Sequence, residues 1–396
     1  MKLGVIGFGN AGSKIADRLL QYEVETGRTL TRSVVAVNTA RTDLAKLEYV
    51  PQENQYLIGQ TNVQAKGHGV GGDPELGAQL AREDFPEIKR ALDEVPIYEI
   101  DAFLIVAGLG GGTGSGGAPV LAERLRDLYG EPVYGLAVLP SEEEGGRASL
   151  NAARSLPSFT ESTDNLLLFD NETWRRSEDS FQSGYEATNR EIVKRVGTLL
   201  SAGELDGSRV SENAMDSSDI RRTLGTGGVS TIAYAETGVE ATTRAGQGLL
   251  GRFRTNGSED GTPREDADLA TKVDGLVRQA VGTRLTCPAR VDSAERSLIV
   301  VSGPPRELSW KGVESARRWV ERETGSSEVL AGDDPRETAD TLSAVVLLSN
   351  VTDLPRVDDL QEQAVEAERT IEAQAHRRET EIRDLITDEY DELDPI

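Results

Sequence analysis

Apolar residues gather along this chain in short blocks, and glycine-rich or polar stretches separate them. Residues 3–6, 34–37, 102–106, 133–139 and 165–169 are apolar runs of strand length, too short for helices and continuous enough to be buried on both faces. Between them lie stretches with helical spacing at 13–22, 75–82 and 120–129, the last placing Leu121, Leu125 and Leu128 on one side. This strand and helix pattern predicts an α/β fold. Residues 181–200 read as one long helix with Tyr185, Ile192, Val193, Val196 and Leu199 toward a core. Further on, 229–235, 285–291, 297–302 and 344–349 read as strands, with a helix at 312–324, and predict a second α/β domain whose sheet has about four strands. Residues 356–394 form a polar, acidic helix or tail, in which Leu360, Ala364, Ala367, Ile371, Ile382 and Leu385 make a heptad broken by Arg378. Expected boundaries are 1–180 for the first domain, 181–205 for the central helix, 206–352 for the second domain and 353–396 for the tail.

Composition narrows the partners. Of 396 residues, 68 are Asp or Glu and 43 are Lys or Arg, a net charge of −25, which repels nucleic acid and anionic lipid. Only 8 of the cations are Lys, and an acidic, Lys-poor surface suits high cytoplasmic salt, where screening removes self-repulsion. Cys287 is the single cysteine, so no intrachain disulfide forms and a reducing compartment is expected. No stretch approaches the roughly 18 apolar residues of a membrane span. The expected location is cytoplasmic, with membrane association only through unknown partners.

Three glycine loops carry the candidate chemistry. The first, Gly7-Phe8-Gly9-Asn10-Ala11-Gly12, follows a strand and precedes a helix. The second contains Gly67, His68, Gly69, Gly71, Gly72 and Asp73. The third runs from Ala107 through Gly110, Gly111, Gly112, Thr113, Gly114 and Ser115 to Gly117. Glycine lets backbone approach a ligand closely, and consecutive amides at a helix N-terminus supply donors and partial positive charge for phosphate. Thr113 and Ser115 add hydroxyls. A P-loop is excluded because no Lys lies near the third loop, and Lys14 stands one place too late in the first. A dinucleotide-binding fold is the rival for the first loop, but its second strand should end in an acid and here ends in Asn38-Thr39. Three such loops at successive strand ends arrange one polyanion site at the carboxyl edge of a sheet. His68 has only His376 for company and reads as a polar loop residue; the metal ligands are unknown.

The run Gly110-Gly-Gly-Thr-Gly-Ser-Gly116 is the signature of the tubulin and FtsZ superfamily of GTP-binding cytoskeletal proteins, and the chain resembles that family over about residues 2–351. The resemblance implies a Rossmann-like GTP-binding domain with a mostly parallel sheet, a long central helix and the second α/β domain. It assigns Gly9, Asn10, Ala11, Gly12, Ser13 and Lys14 to the first nucleotide loop, with Asn38 beside them. Gly71 and Gly72 then belong to the loop that senses the terminal phosphate. In that loop Asp73 replaces the usual FtsZ Asn and either helps hold Mg²⁺ through water or repels the phosphate. Glu144 would accept the ribose hydroxyls, and Asn171, Tyr185 and Asn189 would contact guanine. Asp216 and Asp219 match the acidic pair of the synergy loop, which in the family reaches the nucleotide of the next subunit. Two positions depart from the pattern: Ala148 stands where an Arg is expected, with Arg147 one place early, and Ala214 stands where an Asn is expected. The Lys-poor surface, the Tyr185-Asn189 pair and the Asp-Ser-Ser-Asp loop are most similar to the haloarchaeal CetZ branch. The implied protein binds GTP or GDP with Mg²⁺, associates with itself head to tail, hydrolyses GTP on assembly and shapes the cell. Residues 237–265, where Leu249, Leu250 and Phe253 lie among Arg244, Arg252 and Arg254, are expected to make lateral contacts. A GTP-binding scaffold with negligible hydrolysis and an NAD-dependent oxidoreductase remain as alternatives.

Overall fold

Each apolar run of the first half becomes a strand, 133–139 with the expected bounds and the other four longer by a residue or more. The computed structural model describes residues 1–93, 96–175, 181–202, 215–239 and 263–386. Within these, the strands are β1 (Leu3–Phe8), β2 (Thr31–Asn38), β3 (Gln55–Leu57), β4 (Ala102–Gly108), β5 (Val133–Leu139), β6 (Asn165–Asp170), β7 (Val229–Gly238), β8 (Ala294–Gly303), β9 (Val329–Pro335) and β10 (Thr341–Val351). The helices are α1 (Gly9–Thr26), α2 (Arg41–Leu44), α3 (Pro74–Glu83), α4 (Phe85–Asp93), α5 (Gly112–Leu128), α6 (Gly146–Ser162), α7 (Asn171–Trp174), α8 (Phe181–Leu200), α9 (Ser217–Leu224), α10 (Pro263–Gly282), α11 (Trp310–Thr324) and α12 (Pro355–Ile386).

The strands form one sheet in the order β3-β2-β1-β4-β5-β6-β7-β10-β8-β9. From β3 to β6 every pairing is parallel. This is the doubly wound order whose direction of winding reverses between β1 and β4, the place where such sheets bind ligands at their carboxyl edge. A short parallel pairing, Leu166 with Val229 and Leu167 with Ser230, joins the second half. There β10 runs antiparallel to both β7 and β8, and β8 runs parallel to β9.

The second half of the sheet has the expected four strands in number, but not the expected set. Residues 285–291 are not a strand, and β9 takes the fourth place. The segment lies where β6 and β7 part: Asp170 N donates to Thr286 O at 2.8 Å and Thr286 N donates to Ile232 O at 2.9 Å. Side-chain hydroxyls then replace the ladder, with Ile232 N donating to Thr286 Oγ1 at 2.9 Å and Cys287 N to Thr231 Oγ1 at 3.1 Å. Strand β9 escaped prediction because its Gly332-Asp333-Asp334 breaks any apolar run.

One core lies on each face of the parallel sheet. Val5, Leu104, Val106, Leu136 and Val138 pack against Ile192, Val193, Val196 and Leu199 of α8, and the same cluster takes in Leu298, Val300, Val345 and Leu347 of the second half. Helix α8 is therefore buried against both halves. On the other face Phe8, Ile105, Ala107 and Ala137 meet α5 and α3 through Ala118, Leu121 and Leu80. A third cluster joins α10 and α11 to β7, β8 and β10.

Two helices start earlier than expected, inside the glycine motifs. Helix α1 begins at Gly9 and α5 at Gly112, so half of the third glycine loop is helical. Close packing explains the composition: a Cβ on Gly116 would run into the Pro74 carbonyl of α3, and one on Gly117 would run into the Phe8 ring. Helix α12 realises the start of the expected tail. Leu360 and Ala364 are buried against the body, whereas Ile371, Ile382 and Leu385 are exposed. Most of the 237–265 loop, Ala214 and the last ten residues lie outside the described residues.

Candidate nucleotide-binding site

The carboxyl ends of β1, β2, β4, β5 and β6 surround a cavity of about 390 Å³, within the range of small-molecule sites. Its first wall is made of glycine. Gly9 follows β1 with φ 74°, and a Cβ there would lie 2.9 Å from Gly114 N. The loops after β1 and β4 thus touch backbone to backbone, and the N-termini of α1 and α5 open onto one space. Gly9, Asn10, Ala11 and Lys14 line it from α1, and Gly110, Gly111, Gly112, Thr113 and Gly114 line it from α5. Gly71 and Gly72, with φ of 61° and 77°, close that end. Only glycine takes such angles at low cost.

Side chains hold these loops at fixed spacing. Asn151 Nδ2 donates to Gly72 O at 2.9 Å and to Gly110 O at 3.1 Å, tying the second glycine loop to the third. The Thr39 and Thr113 hydroxyls share a 2.7 Å hydrogen bond between the end of β2 and α5. Asn38 Oδ1 accepts from Thr39 N at 2.8 Å and Ala40 N at 3.2 Å. Its Nδ2 is buried at the cavity wall with no partner on the protein. A buried donor left so costs about 1–3 kcal/mol, a cost that an acceptor-rich ligand removes. The site therefore fits an anion that carries many oxygens.

The far end suits a planar polar group on a sugar. Tyr185 and Asn189, one turn apart on α8, line the cavity with Asn171, Glu144 and Pro140. Ser141 N donates to Glu144 Oε1 at 2.9 Å, closing a capping box, and Asn171 Nδ2 donates to the same oxygen at 3.2 Å. The Tyr185 hydroxyl is hydrogen-bonded to Glu144; burial first, and the Glu144 charge second, push its pKa up. The phenol accordingly stays a protonated donor, and its ring remains available for stacking.

Several expected residues face elsewhere. Gly12 is packed on β4, where a Cβ would lie 3.2 Å from Ala107 Cα and collide with the Val106 carbonyl. Ser13 Oγ donates to Gly7 O at 3.3 Å inside the core. Ser115 Oγ donates to Gly111 O within the first turn of α5. None of the three lines the cavity. Asp73 caps α3, accepting from Leu76 N at 3.0 Å, so its carboxylate is turned to the helix rather than to a phosphate. Arg147 lies outside the cavity but beside its rim, since a Cβ on Gly72 would come 3.9 Å from Arg147 Nε. His68 lines the cavity; among the described residues no group of three His, Cys, Asp or Glu is placed to hold a metal ion. Sequence reasoning missed Thr39, Asp43 and Asn151, for which no local pattern gives a signal.

The two remaining acids lie at the other edge of the sheet. Asp216 caps α9, accepting from Ser218 N at 2.7 Å and Asp219 N at 3.1 Å, and Asp219 accepts from Asp216 N at 3.4 Å. The Ser218 hydroxyl, with the backbone amides behind it, holds the exposed Asp216 carboxyl below its usual range. Between these acids, Ser218 shares a cleft with Pro132 and Asp164, which lie at the amino ends of β5 and β6. Asn171, at the opposite end of β6, lines the nucleotide cavity. The six residues of β6 separate the two places by roughly 20 Å at about 3.3 Å per residue.

Comparison with known proteins follows the same division. The family profile described as Tubulin/FtsZ family, GTPase domain, matches residues 2–179, and that described as Tubulin-like CetZ, C-terminal domain, matches residues 178–366. The tubulin-like protein CetZ1 of Haloferax volcanii is 50% identical over 373 residues, which cover 94% of each chain. The solved structure of CetZ1 from the same organism, a GDP-bound monomer, aligns with TM-score 0.81 at 46% identity and covers 93% of this chain and 100% of that one. The structure of CetZ2 from Haloferax volcanii, a GTPγS-bound protofilament, aligns with TM-score 0.80 at 39% identity over 94% and 100%.

Proposed function

Because this chain belongs to the tubulin/FtsZ family, in its CetZ branch, we propose that it binds and hydrolyses GTP as a cytoskeletal protein and polymerises head to tail. Each active site is completed by Asp216 and Asp219 of the next subunit. The observation that carries this reading is the separation of those acids from the cavity of their own chain by a full strand length of sheet. They cannot reach their own nucleotide, yet Asp216, exposed, and Asp219, half-buried, sit at the edge that head-to-tail stacking would turn toward a neighbour's cavity. The relative solved as a GTPγS-bound protofilament supports the arrangement.

The roles follow from the walls. Amides at the N-termini of α1 and α5, the Gly71-Gly72 backbone and Lys14 take the phosphates. Glu144 accepts ribose hydroxyls, Tyr185 stacks on the base, and Asn171 and Asn189 offer amides to its edge. Mg²⁺, with the Thr113 hydroxyl and the Asp43 carboxylate as the cavity's own oxygen donors, would neutralise phosphate charge and keep most of its ligands as phosphate and water. A carboxylate from the incoming subunit orients the attacking water on the terminal phosphate, giving GDP and inorganic phosphate.

The test is phosphate release per subunit as a function of protein concentration, with GTP and Mg²⁺. The rate should rise with assembly, and a rate that stays flat refutes the shared site. Asp219→Ala should still bind GTP and stop turnover. A second reading, a GTP-binding scaffold that barely hydrolyses, is favoured by Ala148 and Ala214, and the same assay separates it. We further propose action in the cytoplasm, a role in cell shape, a functional division at 1–180, 181–205, 206–352 and 353–396, and lateral contacts through 237–265. Deleting 240–262 should abolish bundling while single filaments persist.

A further inference from the structure

Arg356 belongs to the first turn of α12, far in sequence from every loop of the cavity, and it is only 6% exposed in a chain whose charged residues mostly face water. Its guanidinium makes two bonds in one plane. Nε donates to Asp170 Oδ1 at 2.9 Å, and an Nη donates to the Pro140 carbonyl at 2.9 Å. These two partners end adjacent strands: Pro140 follows β5 and Asp170 closes β6. Pro140 lines the cavity and is followed directly by the Ser141–Glu144 capping box, and Asp170 directly precedes Asn171. The second Asp170 oxygen caps α7, accepting from Thr173 N at 2.9 Å and Thr173 Oγ1 at 2.6 Å. One buried fork therefore sets the spacing between the strand ends that carry Glu144 and Asn171.

Two further residues in the first half of α12 hold the same loop. Gln363 Nε2 donates to Glu142 Oε1 at 2.8 Å, and a Cβ on Gly146 would lie 2.7 Å from the Ala367 side chain. We propose that Arg356 is a positioning residue for guanine nucleotide: it makes α12 a brace that holds the ribose and base loops in register, so that undocking α12 speeds nucleotide release. The proposal rests on the reading of the cavity as a guanine nucleotide site. A planar guanidinium holds the carboxylate and the carbonyl at a fixed spacing, whereas an ammonium is a point donor on a flexible stem.

The experiment measures release and equilibrium binding of tritiated GDP, together with GTP turnover, on the full chain. Arg356→Met should weaken GDP binding about tenfold through faster release. It should raise the KM for GTP while turnover at saturation changes less than twofold, a split that general loss of fold would not give. Arg356→Lys should recover less than half of the loss. Since Arg356→Met leaves Asp170 buried without its partner, the double variant Asp170→Asn, Arg356→Met removes both charges while Asn keeps the α7 cap. It should stay folded and still release GDP about tenfold faster. Wild-type affinity and release in the folded double variant would overturn the brace, as would a loss confined to saturated turnover. A wild-type chain that bound no GDP would refute the nucleotide reading itself rather than this one.

Discussion

Gly116 is a test of how helix packing controls the phosphate end of the site. It lies in the second turn of α5, lines no part of the cavity, and faces the start of α3. A Cβ there would meet the Pro74 carbonyl oxygen head on, with Ala78 N at 2.7 Å and Pro74 C at 2.8 Å. Ordinary contact begins near 3.4 Å, so α3 must withdraw by about 0.7 Å from Ala78 alone and by more at the oxygen. Overpacking of this kind costs about 1–3 kcal/mol, and the lost glycine returns about 0.5–1 kcal/mol of backbone entropy, leaving Gly116→Ala less stable by up to about 2.5 kcal/mol. The same displacement should reach the site. Helix α3 begins directly after Gly71, Gly72 and Asp73, so its retreat opens the loop that closes the cavity. A tenfold loss of GDP affinity, about 1.4 kcal/mol, is expected. The assay is thermal unfolding with and without saturating GDP, together with a direct GDP Kd. Gly275→Ala is the control: it lies inside α10, an added Cβ meets nothing within 4 Å, and stability should rise by up to about 1 kcal/mol with GDP affinity unchanged. Wild-type melting and wild-type Kd in Gly116→Ala would refute the argument that a glycine seam fixes the phosphate loops.

Three more predictions concern separate parts of the molecule. Tyr185→Phe keeps the ring and loses the hydroxyl bonded to Glu144, so calorimetry should find GDP about twofold to fivefold weaker, whereas Tyr185→Ala should lose about tenfold or more. Asp334 is wholly buried between Arg28 (3.1 Å) and Arg336 (3.0 Å), joining the end of α1 to β9; Asp334→Ala leaves both cations without it and should cost about 3–5 kcal/mol in denaturant unfolding. Glu314 is held by a two-pronged bond from Arg317, and then by Arg318, from a pKa of 4.5 down to about 2. Because the folded value is the lower one, its stabilisation is present above pH 4.5 and is lost as pH falls toward 2. Each of the two side chains keeps roughly a quarter of its surface in water, and screening there limits the effect to well under about 1 kcal/mol. Glu314→Gln should flatten that part of the melting curve against pH at low salt, and an unchanged slope would count against the pair.

The chain itself determined β1, β2, β4, β5 and β6 of the parallel half of the sheet, though not the three-residue β3, together with the three glycine loops and the long helix, because each depends on residues adjacent in sequence: an apolar run, a turn that only glycine allows, a 3.6-residue stripe. It also pointed to Tyr185, Asn189, Asn171 and Glu144, which the fold gathers around one cavity. What it could not decide was which way a residue faces once packed. Gly12 and Ser13 read as phosphate contacts but press into β4 and β1, and several glycines of the third motif turned out to be spacers between helices rather than ligand-binding backbone. Residues 285–291 have a strand's composition yet lack a strand's partner, since β6 and β7 diverge around them. Asn151, Arg356 and β9 left no local trace, because their roles depend on groups tens or hundreds of residues away. The placement of Asp216 and Asp219 is the clearest case: composition marks them as helix caps, and caps they are. Only the sheet sets them a strand length from their own cavity, and that placement is the ground for proposing that they serve another molecule's nucleotide.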